Sequence, residues 1–259
     1  MKKTLRSQVI IFNFLFLFFF TLVGLILLNI YLSQRKRINR MLQLTTELHS
    51  SILRQINFQK DFFYFESKKS DTCFFDDRNA ISLNRIRDND NLIGETWMQL
   101  KQYISDSDDS IYKSIVRLEG LILENKKAFS RTIELIFDRG FKNTGIIGSM
   151  RYYVHKLENK NEVDMVDLLM MRRHEKDYIL RNDTSYVSKH AKVAKRLSDK
   201  IMKSNLVTSE KMEYLALISE YIKSFHQLVD IDYELGYRPG HGLQHILNQN
   251  YASIENEFS

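Results

Sequence analysis

The residues best equipped to do chemistry lie between Asn143 and Asp183: Arg151, His155, Arg172, Arg173 and Lys176, with Asp177 and Arg181 close behind. A guanidinium is a planar fork of donors that meets a carboxylate through two parallel hydrogen bonds, so this set is a candidate for holding a carboxylate ligand. Arg173, Asp177 and Arg181 stand at i, i+4 and i+8, which seats one carboxylate between two guanidiniums. A structural alternative stands beside that chemistry, in which Arg173 and Asp177 pair with each other and fix helix register. Val166, Met170, Arg173, Asp177 and Leu180 step by four and three and so share one helical face, apolar at both ends and ionic in the middle. Charges in a core seam are costly unless paired. Arg151 precedes Arg172 by 21 residues, about 31 Å on one continuous helix, so the two serve different sites on this expectation.

Other chemistries find no residues. The single Cys73 excludes an intramolecular disulfide and a multi-cysteine metal site. His241 and His245 sit beside Gly240 and Gly242, which reads as a turn and not as a metal-binding helix. No glycine-rich phosphate loop, nucleophile elbow, metalloprotease helix or paired-carboxylate motif is present, so neither an enzyme nor a cofactor is expected. The basic residues from Lys189 to Lys203 suggest a solvated face, and Phe62, Phe63, Tyr64, Phe65, Phe74 and Phe75 suggest core packing.

The elements that must position these residues are helices. Nine glycines and one proline among 259 residues leave few breakers, which favours an all-α chain. Residues 1–8 form a basic tail, and Val9 to Leu32 contains no ionisable side chain. These 24 residues span roughly 36 Å as a helix, enough to cross the hydrocarbon core as an uncleaved anchor. The flanks of this segment hold seven of the 38 basic residues and no acid, leaving 31 basic against 32 acidic side chains elsewhere. The basic character therefore faces lipid headgroups, and nucleic acid is not an expected partner. Charge bias barely selects an orientation; a short tail inside and the bulk exported is the expectation.

Helical spacing continues from Ser33 to Lys69, breaks at 70–77 and resumes over 81–104. A polar turn at 106–110 precedes a helix over 111–137 that stops at Gly140. Between Gly148 and Asp183 neither Gly nor Pro occurs, so 143–183 reads as one long helix. Further helices are expected over 187–201, over 209–235 and from Gly242 onward, giving seven in all and no strand. The chain also repeats itself. Gln59-Lys60-Asp61-Phe62 echoes Glu175-Lys176-Asp177-Tyr178, and Gly140-Phe141-Lys142 before Gly145 echoes Gly236-Tyr237-Arg238 before Gly242.

The strings Met171-Arg172-Arg173-His174-Glu175-Lys176-Asp177-Tyr178 and Gly145-x-x-Gly148-x-x-Arg151-x-x-x-His155-x-x-Glu158 resemble the hallmark of helical bimodular sensor domains over roughly 40–259. These are the extracytoplasmic parts of bacterial chemoreceptors and sensor histidine kinases. The resemblance implies two stacked helical bundles sharing long helices, the first module about 41–150 and the second about 151–259, outside an inner membrane that the family normally crosses twice and this chain is expected to cross in a single pass. It also implies binding of a small organic acid or docking of a periplasmic binding protein, with dimerisation through the first helix left open. Two departures accompany it. No second apolar run or output module follows before Ser259, and Asn57 stands where the second copy has Arg173.

Overall fold

The structure is a computed structural model describing residues 5–68, 75, 80–104, 109–238 and 240–258. The expected break at 70–77 apart from Phe75, turn residues 106–108, Cys73 and Pro239 lie outside the described residues. Those described form eight α-helices, a short 3-10 turn at Glu66–Lys68 and no strand. The helices are α1 (Leu5–Tyr64), α2 (Ile81–Tyr103), α3 (Asp109–Arg139), α4 (Gly145–Glu158), α5 (Met165–Arg181), α6 (Ser185–Lys203), α7 (Thr208–Leu235) and α8 (Gly242–Glu257). The all-α expectation holds.

Helix α1 is apolar on every side over 9–32, and its large side chains there, such as Phe14 and Leu17, are uncovered. A helix apolar all round needs lipid or another apolar medium, and this one is long and apolar enough to cross a membrane.

The chain divides into two compact units, Met1–Arg54 with Asn89–Tyr112, and Gln55–Asp88 with Lys113–Ser259. In the first unit α1 and α2 run antiparallel. Arg37 donates to the carbonyl of Tyr103, Arg40 to Gln99 Oε1 and Asn89 Nδ2 to the carbonyl of Ser51, so positions fall on one helix as they rise on the other. Leu44, Leu48, Ile93, Trp97 and Leu100 are buried there.

In the second unit one apolar core draws on α4, α5, α6 and α7, from Met150 and Leu157 through Leu168 and Met171 to Leu197, Tyr221 and Leu228. The boundary expected between 150 and 151 falls inside α4. Elsewhere in this unit Phe62 meets Phe129 edge-on at 5.9 Å. Gln59 accepts from the Tyr251 hydroxyl at 2.8 Å and donates to Asn125 at 3.0 Å.

The long helix expected over 143–183 is two helices. Asn159 caps α4 through its N–H to the carbonyls of His155 and Leu157, and Asp164 caps α5 by accepting from the amides of Val166 and Asp167. Val163 is buried between them and fixes the bend. A capping aspartate and one apolar plug turn the chain without glycine or proline.

Both glycine turns open and close on a glycine at positive φ, though the second is one residue longer. Gly140 and Gly236 have φ of +75° and +83°, and Gly145 and Gly242 follow at +59° and +67°. A Cβ on Gly140 would lie 2.0 Å from the Thr144 carbonyl oxygen, and one on Gly236 would lie 2.2 Å from that of His241. The repeated strings also share a burial pattern: Gln59 and Phe62, like Glu175 and Tyr178, are buried, whereas Lys60 and Lys176 are exposed.

Candidate functional site

The hairpin of α4 and α5 brings the last turn of one helix against the middle of the other. His155 and Glu158, at i and i+3, share the end of α4. Arg172, Glu175 and Lys176 occupy one side of α5. Arg172 Nη1 donates to Glu158 Oε1, and His155 Nδ1 lies 2.7 Å from Glu158 Oε2. Burial alone would raise the Glu158 carboxyl, but His155 and Arg172 outweigh it and hold the group below its ordinary range. Behind this pair Glu175 is buried, bridged by Lys176 Nζ at 2.7 Å and by the Tyr221 hydroxyl of α7. Burial, then the neighbouring Glu175 charge, pushes the Tyr221 hydroxyl well above its ordinary value, so it stays a donor. Among the four helices of this core, α4 lies along α7 and α5 along α6, while α4 and α5 touch each other only sparsely. The ionic cluster bridges that sparse seam.

Three of the five expected ligand residues, Arg172, His155 and Lys176, meet here. Arg172 and His155 are joined through Glu158, which the expected continuous helix would have kept apart. Arg151 is half-buried one turn before His155 and forms no ion pair among the described residues. Arg173 does not join the cluster. Its side chain is 71% exposed, and its partner Asp177 is 3.9 Å away; Arg181 reaches Asp177 only at 4.0 Å. The face expected to be a core seam is the outer face of α5, since Val166 and Leu180 are 71% and 77% exposed. The physical reason is the bend at 159–164. It frees α5 to turn Leu168, Met171, Glu175 and Tyr178 inward, a stripe on the side of the helix nearly opposite the expected one.

The N-terminal end of α5 is tied to α6 by ions also. Buried Asp167 accepts from Arg196 and Lys200, and Arg196 foremost keeps its carboxyl low despite burial. Part of the basic face of α6 is thus paired rather than merely solvated. Deeper in the core His190 of α6 packs on Phe225 at 4.3 Å and Tyr221 at 5.3 Å, and both ring nitrogens lack partners among the described residues. Burial lowers its pKa to about 3, with His226 and His174 adding to the effect.

The chain matches no family model, no curated protein and no solved structure. The arrangement is therefore weighed on its own chemistry. It offers a guanidinium already holding a carboxylate, a second buried carboxylate beside it, and a sparse seam between two helix pairs. Sequence reasoning passed over Glu175, Tyr221 and His190 as site residues. The signal for Glu175 was its match to Gln59, since both accept a tyrosine hydroxyl in the structure.

Proposed function

We propose that this chain is the ligand-sensing, membrane-tethered part of a transmembrane signalling receptor of the helical bimodular kind, with residues 33–259 outside the inner membrane. The observation that carries the proposal is Glu158 seated on Arg172 in the seam of α4 and α5. A carboxylate ligand recognises the same fork that Glu158 uses and so competes with it. Displacing Glu158 releases the end of α4, and the α4–α7 pair then shifts against α5–α6 by an ångström or two, the usual scale for packed helices. A ligand moves such an equilibrium only by its differential affinity for the two arrangements. Supporting the tether, α1 is one uninterrupted helix whose apolar stretch is long enough for a bilayer.

Calorimetry of the full chain in lipid nanodiscs against acetate, succinate, malate and citrate tests this. At least one acid should bind, and Arg172→Ala should weaken it tenfold or more while exposed Arg173→Ala leaves it unchanged. If no acid binds, or if Arg172→Ala binds as the parent does, the proposal is wrong.

One observation favours a second reading, a tethered scaffold that recognises a periplasmic protein. Val166, Leu169 and Leu180 are exposed along the outside of α5. Under that reading Leu180→Glu abolishes recovery of the partner in a crosslinked envelope fraction, with no metabolite required.

A further inference from the structure

A cavity of about 270 Å³ opens where the two glycine turns meet the end of α5, lined by Ile136, Arg139, Phe141, Ile179, Asn182 and Tyr237 among others. It is smaller than the roughly 300–1,000 Å³ of drug-sized pockets, so its guest is small. Its chemistry is asymmetric. Arg139 lies over the Tyr237 ring at 5.5 Å and gives Nε to Asp232 at 2.6 Å. Among the described residues neither Nη1 nor Nη2 of Arg139 makes a hydrogen bond, so two donors of the fork remain for a carboxylate. Asn182, held in the left-handed conformation at φ 52° and ψ 28°, carries a buried Oδ1 with no partner among the described residues. That atom accepts only, so it calls for an N–H or O–H on the guest. Phe141, Ile136 and Ile179 supply an apolar wall. Arg139 and Asp232 together carry no net charge, and a buried neutral site favours a guest that is itself neutral overall.

We infer that this cavity binds a small apolar α-amino acid as its zwitterion, the carboxylate on the Nη atoms of Arg139, the ammonium on Asn182 Oδ1, and the side chain against Phe141, Ile136 and Ile179. The guest touches Phe141 of one turn and Tyr237 of the other, so its binding fixes both turns at once. The site shares no residue with the Arg172 cluster and stands independently of the organic-acid proposal.

The test is calorimetry of the full chain in lipid nanodiscs with L-valine, L-leucine, L-isoleucine and L-methionine, and with 4-methylpentanoate and isoamylamine as partial mimics. At least one amino acid binds, and each mimic binds tenfold more weakly or worse. Arg139→Lys retains the charge beside Asp232 but loses the fork. Asn182→Gly retains the left-handed backbone but loses the acceptor. Each weakens binding at least tenfold, whereas Arg172→Ala has no effect on it. Should Arg139→Lys fail to fold, Asn182→Gly alone decides, because glycine favours that conformation. Binding of none of the four amino acids, equal binding of 4-methylpentanoate, or parental affinity in Asn182→Gly overturns the inference.

Discussion

Replacing His190 by phenylalanine isolates the one buried imidazole that pairs with nothing among the described residues. In the folded chain its pKa is lowered to about 3 from an ordinary 6.5. A depressed histidine is neutral in both states above pH 6.5, so the stability it permits is fully present there. As pH falls below 6.5 the unfolded chain takes up a proton that the folded chain refuses, and stability declines until about pH 3. The slope approaches about 1.4 kcal/mol per pH unit once the pH is well below 6.5, which amounts to about 2.3 kcal/mol between pH 6.5 and 4.5. The replacing phenylalanine has no proton to take, and its ring suits the slot between Phe225 and Tyr221. Urea unfolding of the full chain in detergent micelles, followed by circular dichroism, should show His190→Phe gaining on the parent as pH falls from 6.5 to 4.5. Other titrations cancel in that difference. Burial raises the Asp232 carboxyl and so works in the opposite direction, while His174, lowered by burial and Lys189, works in the same direction in both proteins. At pH 7 the variant should be more stable by on the order of 1 kcal/mol, since a buried polar group without a partner is removed. Parallel pH profiles for the two proteins would show that the imidazole is hydrated or paired in solution, and the reasoning would fail.

The glycine turns give a second check, read as melting temperatures. Gly140→Ala and Gly236→Ala each place a Cβ within 2.2 Å of a backbone oxygen at positive φ, and each should cost about 2 kcal/mol or more. Gly120→Ala in α3, with nothing within 4 Å of the added carbon, should instead stabilise by roughly 0.5–1 kcal/mol. At the buried glutamate, Tyr221→Phe strips a donor from Glu175 and should cost about 1–3 kcal/mol in urea unfolding. Glu175→Gln should cost less than about 1 kcal/mol, because Gln59 fills the matching position and accepts from Tyr251. A large loss in Glu175→Gln would mean that the charge, and not the hydrogen bond, holds that position.

What sequence could and could not tell separates along one physical line. Helix ends written in a single residue type were legible: Gly140 and Gly236 stop their helices at positive φ, and the ends at Tyr103 and Leu235 fall within a residue of expectation. The bend at 159–164 was not. It depends on Asp164 folding back on two amides and on Val163 finding a core to enter, and the second condition exists only once α7 is in place. Without that bend the inner face of α5 is assigned to the wrong stripe. The step from Val166 through Met170 to Leu180 is as regular as the stripe of Leu168, Met171 and Glu175, and periodicity alone cannot say which of two such stripes faces inward. The repeat could have chosen. Gln59 and Glu175 occupy equal places in the two strings, and a polar residue kept inside two helices beside tyrosines marks the inner face better than an apolar one does, since burying it demands a partner. Arg172 then follows as the inner arginine, three residues before Glu175, and Arg173 as the outer one.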